Sequence, residues 1–137
     1  MKAVLMRVQR ASVTIDERET RSIGMGFLIL LAVTHDDTEA QAVKLADKLC
    51  SLRLFEDADG KINLTLDEVG GEIMIVSQFT LYGNCRKGRR PEFLNAARPE
   101  TAIPLYEKFV SLVRAKGYHV ETGEFGAYMA VDSVNDG

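Results

Sequence analysis

The run Phe27-Leu28-Ile29-Leu30-Leu31-Ala32-Val33 constrains the fold more than any other part of the chain, because every position in it is apolar. A surface helix would show a polar face, and a half-exposed strand would alternate. The run is short and is opened by Gly24-Met25-Gly26, so it reads as a buried central strand. A second apolar strand follows Gly70-Gly71 and extends over Glu72-Ile73-Met74-Ile75-Val76-Ser77-Gln78-Phe79-Thr80-Leu81.

The elements around these runs alternate in type. Ala3–Val8 and Ala11–Ile15 read as two strands rich in β-branched residues, with Asp16–Thr20 as a turn. Thr38-Glu39-Ala40-Gln41 is a capping-box pattern, and Ala42, Leu45, Ala46, Leu49 and Leu52 follow at helical spacing. Leu52–Phe55 alternates as a strand, and Asp57-Ala58-Asp59-Gly60 is a turn signal. A second helix is expected to start near Pro99 or Pro104, to bury Ile103, Tyr106, Phe109, Val110 and Val113, and to end at Lys116-Gly117. Tyr118–Thr122 and Ala127–Val134 read as final strands. Many strands with two helices indicate an α+β fold, a curved, mainly antiparallel sheet or open β-barrel with both helices packed on it. Asn135-Asp136-Gly137 is a hairpin signal with no strand after it, so either the chain is truncated or a tail lies outside the sequence.

Composition narrows the function classes. The 137 residues suit one domain with its own core. Two cysteines, Cys50 and Cys85, make no disulfide framework and point to a reducing compartment, the cytosol. The apolar start of the chain is broken by Arg7, and no run approaches the roughly 20 apolar residues of a membrane span. With 17 basic and 20 acidic residues the net charge is −3, which argues against a long nucleic-acid groove. One local exception stands out: Arg86-Lys87-Gly88-Arg89-Arg90 places four cations in five residues, enough to grip a few phosphates. A solvated loop would look the same. Phe93 beside it could stack on a base or anchor the loop.

Few residues are equipped for catalysis. The two histidines, His35 and His119, read as solvated surface groups, and no pair of residues has metal-ligand spacing. Neither a metal nor a cofactor is expected. Cys85 next to Arg86 and Lys87 could have a lowered thiol pKa, but no histidine lies near it in sequence, and a plain loop residue is the better reading. Ser77, Gln78 and Thr80 form a polar row at the end of an apolar strand. Burying such groups unpaired costs about 1–3 kcal/mol each, so they pair with backbone, line a polar cleft, or face solvent. Alternation would set Ser77 and Phe79 on one side and Gln78 and Thr80 on the other. Pattern alone favours a strand running out into solvent.

The wording of these segments is more informative than their pattern. Ala3–Val13, Leu52-Arg53-Leu54-Phe55-Glu56-Asp57, Gly70-Gly71-Glu72, Val76-Ser77-Gln78-Phe79-Thr80-Leu81-Tyr82, Arg86-Lys87-Gly88-Arg89-Arg90-Pro91, Glu121–Ala127 and Asn135-Asp136-Gly137 together resemble the D-aminoacyl-tRNA deacylase family, also called D-tyrosyl-tRNA deacylase. The resemblance spans nearly the whole chain. It implies a single domain over residues 1–137 and a homodimer of barrel-like subunits with the active site at the subunit interface. It also implies hydrolysis of the ester that joins a D-amino acid, or mischarged glycine, to the 3′ end of tRNA.

The implied roles fall on matching positions. Ser77, Gln78, Phe79 and Thr80 would form the catalytic segment, with backbone N–H groups around Phe79 and Thr80 as oxyanion donors. Gly137 would belong to the motif that enforces chirality, held in place by Arg7; the proline and threonine that follow it in the family, and the closing strand, are absent here. Phe125 and Met129 would line the adenosine pocket, and Arg86, Lys87, Arg89 and Arg90 would meet tRNA phosphates. Tyr128 stands where the family more often has an acidic residue, which is expected to change the pocket wall or surface rather than the reaction. A tRNA- or RNA-binding module without catalysis is the alternative, supported by the basic loop.

Overall fold

A computed structural model describes residues 1–137. Strand β1 (Lys2–Ile15) is the spine of the sheet, 14 residues long and hydrogen-bonded along both edges. On one edge lie β2 (Glu19–Ile23) and β3 (Gly26–Ala32) in a single antiparallel register, with Ala11 opposite Ile23 and Val8 opposite Gly26. These two strands therefore act as one strand bent at Gly24-Met25. On the other edge lies β8 (Met129–Asn135), with Ile15 opposite Met129 and a bulge between Val8 and Arg10. Strand β6 (Glu72–Ser77) pairs parallel to β3, and β7 (Val120–Thr122) pairs parallel to β6. A small hairpin of β4 (Arg53–Glu56) and β5 (Ile62–Thr65) stands apart. Helices α1 (Glu39–Cys50) and α2 (Pro99–Ala115) complete the fold.

The continuous apolar run is explained by two cores. Phe27, Ile29 and Leu31 face α1 and α2 in a cluster with Ala46, Leu49, Phe109 and Val113. Leu28 faces the concave side with Val8, Val13, Ile15, Met74 and Val76. A strand covered on both faces has no position for a polar residue. The concave side is nearly closed: the Arg21 guanidinium on β2 donates to the Thr122 carbonyl on β7 at 2.8 Å, spanning strands from the two ends of the hydrogen-bonded order. Gly26 permits the β3–β6 approach, since a Cβ there would overlap the Glu72 carbonyl.

The expected curved, mainly antiparallel sheet with two packed helices is what the chain forms. Four details differ. The two N-terminal strands are one, because β8 and β3 together supply partners along its full length. The turn is shorter than Asp16–Thr20: Asp16 and Glu17, with φ of 46° and 57°, reverse the chain, and β2 begins at Glu19. Helix α2 takes the first of its two expected starts, Pro99, with Pro104 inside it, but Ile103, expected among its buried residues, is only half-buried while Ala102 and Leu105 are buried. The second apolar strand stops at Ser77, four residues short of Leu81.

Candidate active site

Strand β6 ends because its partner ends. Ser77 lies opposite Leu31, one residue before β3 stops, and the Gln78 N–H makes a last bond to the Leu31 carbonyl at 2.8 Å. The chain then turns through Gln78 (φ −144°, ψ 77°) into a 3₁₀ turn, Phe79–Tyr82. The alternation expected for Ser77 to Thr80 is lost with the strand. Instead the Gln78 amide curls back and donates to the Thr80 hydroxyl.

The turn leaves two main-chain donors free. Leu81 N–H bonds to Gln78, and Gly83 N–H to Thr80, whereas the Phe79 and Thr80 N–H groups have no partner. Thr80 itself is exposed, and the Gln78 amide is the only side chain bonded to its hydroxyl. The two histidines are occupied elsewhere: His35 Nε2 meets the Leu94 carbonyl at 2.7 Å, and His119 faces Glu121 at 3.3 Å. Thr80 therefore has no general base, and no three His, Cys, Asp or Glu side chains converge to hold a metal. Cys85 is exposed and Cys50 is buried, with desolvation raising the Cys50 thiol pKa.

Beside the turn opens an apolar cleft of about 590 Å³. Ser77, Gln78 and Phe79 form one wall, Phe125, Met129 and Tyr128 another, and Phe93, Arg98 and Tyr106 lie between them. The expected pocket residues Phe125 and Met129 thus meet the expected catalytic segment. Phe93 anchors rather than stacks freely: its ring packs edge-on against Phe79 at 5.1 Å. Tyr106 was legible only as a core residue of α2, yet its hydroxyl donates to the Ile75 carbonyl at 2.8 Å, and burial pushes its pKa up to about 12. Arg98 gave no signal, since it precedes Pro99 in a stretch without periodicity.

The basic loop reaches out from the same wall. Asn84 and Glu92 pair across its base, with backbone bonds of 2.9 and 3.1 Å. Arg86, Lys87, Arg89 and Arg90 at its tip are all exposed and form no ion pair.

Arg7 and Gly137 lie elsewhere. The Arg7 guanidinium donates to the carbonyls of Asp136 (2.6 Å) and Leu54 (2.7 Å) and lies against Gly137. Arg7 is opposite Phe27, while Ser77 is opposite Leu31 on the same strand. Four residues of strand put roughly 13 Å between the two places. Within one copy Gly137 packs on Arg7 and makes no hydrogen bond with the Ser77–Thr80 turn.

A family model described as D-Tyr-tRNA(Tyr) deacylase covers residues 4–137. The chain belongs to this deacylase family. The D-aminoacyl-tRNA deacylase of Thermus aquaticus is 54% identical over all of this chain and 90% of its own length. That of Clostridioides difficile strain 630 is 53% identical over all of this chain and 92% of its own. Among solved structures, a c-Myc DNA unwinding element binding protein superposes with a TM-score of 0.90 at 40% identity, covering 99% of this chain and 93% of that one. A probable eukaryotic D-amino acid tRNA deacylase gives 0.86 at 20% identity, over 98% and 94%, a likeness of fold. The deacylase-like barrel expected from the sequence is thus the fold of its structural relatives.

Proposed function

We propose that this chain hydrolyses the ester bond of D-aminoacyl-tRNA, and of mischarged glycyl-tRNA, releasing free amino acid and tRNA. The observation that carries the reading is the 3₁₀ turn after Ser77, which leaves the Phe79 and Thr80 N–H groups unpaired and begins at Phe79, in the wall of an apolar cleft. Donors aimed at one point stabilise the oxyanion that forms when an ester is attacked. An aminoacyl ester is already labile, so positioning and charge stabilisation supply much of the rate. Thr80 lacks a base, which favours attack by a water held by the neighbouring 2′-hydroxyl of the tRNA over attack by Thr80. In this reading Gln78 orients the substrate and Phe125 and Met129 hold the terminal adenosine.

The placing of Gly137 at Arg7, four residues along the sheet from the level of Ser77, supports a homodimer, in which the Arg7–Gly137 end of one copy meets the Ser77–Thr80 turn of the other. Backbone there would leave room beside the α-carbon for hydrogen but not for an L side chain, a selection by clash. The unpaired cations of the loop suit tRNA phosphates. We place the activity in the cytosol, where aminoacyl-tRNA is found; no helix is long and apolar enough to cross a membrane.

Release of D-tyrosine from D-tyrosyl-tRNA tests the reading. Turnover above the buffer rate supports it. Tight binding without release would favour the RNA-binding module instead, though that module gives no account of the two free N–H groups.

A further inference from the structure

Tyr128 sits at the mouth of the cleft with a ring that the fold does not use. The residue is 74% exposed, and its side chain forms no hydrogen bond and packs against no other aromatic ring. Its backbone, by contrast, is fixed. The Tyr128 N–H donates to the Asp16 carboxylate at 3.0 Å, and the Asp16 N–H donates to the Tyr128 carbonyl at 2.9 Å. Asp16 is itself held in the turn by Arg18 at 3.0 Å. Any residue at this position would keep both bonds, so the aromatic ring is not needed to build the turn. A single exposed apolar residue is ordinary, but Tyr128 shares its cleft with a second exposed aromatic, Phe79, and grouped exposed apolar surface marks a binding site.

The surroundings say what kind of ligand. Phe79, 55% exposed, is the other aromatic open to solvent along the same cleft. Uncommitted cations stand on the loop that leads to Phe93. Open aromatic faces beside free cations are the makings of a single-stranded nucleic-acid site, in which bases stack and the backbone is neutralised. With the backbone pinned on Asp16, only the side-chain torsions of the ring remain to be ordered on stacking. We propose that Tyr128 is a base-stacking residue that positions a nucleobase at the ester-bearing end of the substrate. The assignment rests on the deacylase reading of the cleft and adds a specificity residue to it.

The test compares the full-length chain with Tyr128→Ala and Tyr128→Phe on D-tyrosyl-tRNA. One base–aromatic stack corresponds to roughly a tenfold change in affinity. Tyr128→Ala should raise KM about that much with kcat nearly unchanged, and Tyr128→Phe should restore the KM. An unchanged KM in Tyr128→Ala overturns the proposal while turnover by the unaltered chain keeps the deacylase reading intact. The chain has no tryptophan, so Tyr128→Trp adds a lone reporter that needs no turnover. Quenching of its emission by the trinucleotide CCA supports stacking, and emission indifferent to saturating CCA overturns it, even if the unaltered chain proves unable to hydrolyse the ester.

Discussion

Arg7 and Asp136 grip each other through both backbone and side chain: the Asp136 N–H donates to the Arg7 carbonyl at 2.9 Å, and the Arg7 guanidinium returns a bond to the Asp136 carbonyl at 2.6 Å. Arg7 is on the spine of the sheet, so residues 136–137 take their position from the core. Replacing Arg7 with alanine leaves the carbonyls of Leu54 and Asp136 without their charged donor, at a cost of about 1.5–3 kcal/mol. Urea unfolding should show that loss, and amide exchange should quicken in β8 before it does in β6.

If the Arg7–Gly137 end serves a neighbouring subunit, damage to the two ends should complement. Arg7→Ala and Gln78→Ala chains would each be weak enzymes. Refolded together, they should recover D-tyrosine release that neither shows alone, because one mixed site then has both halves intact. Activities that merely average would speak against a shared site.

The Thr80 hydroxyl receives the Gln78 amide and meets no base. Thr80→Ala should therefore lower kcat by less than about tenfold, whereas removing a true acid–base or nucleophilic group costs on the order of 10²-fold or more. Complete loss of turnover in a well-folded Thr80→Ala protein would sink the substrate-assisted mechanism.

The four loop cations predict a salt effect. Alanine at Arg86, Lys87, Arg89 and Arg90 should weaken tRNA binding and flatten the plot of log affinity against log salt by about 0.7–0.9 for each phosphate no longer neutralised. Hydrolysis of a D-aminoacyl ester of adenosine alone should be little changed, since it carries no such phosphates.

How the parts of this fold were written into the sequence differs from place to place. The α1 cap was readable because it is local: Thr38 and Gln41 sit three residues apart and bond each other directly. The run from Phe27 was readable because burial on two faces leaves no polar position. The end of β6 was not, because it depends on where β3 stops, and Gln78 and Phe79 would suit a strand as well as a turn. Polar Glu19–Ile23 hid β2 for a related reason: its stability comes from partners far along the chain, including Arg21 on Thr122. Wording singled out the Ser77–Thr80 segment as a candidate; only the fold showed that Gln78 and Thr80 bond each other while the Phe79 and Thr80 backbone donors stay free.

Tyr106 gives a pH test of the cleft floor. Its folded pKa, about 12, lies above the ordinary value of 10, so the protonated hydroxyl is favoured by folding. That contribution is whole below pH 10 and fades as pH rises through about 12, by roughly 2–3 kcal/mol in total. Tyr106→Phe should cost about 1 kcal/mol at neutral pH and make unfolding less steeply dependent on pH in that alkaline range. Chemical denaturation at pH 8, 10 and 11 distinguishes the two proteins.

The most direct measurement sets D-tyrosyl-tRNA beside L-tyrosyl-tRNA under the same conditions and follows free tyrosine. The cleft, the free N–H groups of Phe79 and Thr80 and the Arg7-held Gly137 together predict rapid release from the D-ester and release from the L-ester no faster than in buffer. Equal release from both, or release from neither by a protein that binds tRNA, would contradict the account.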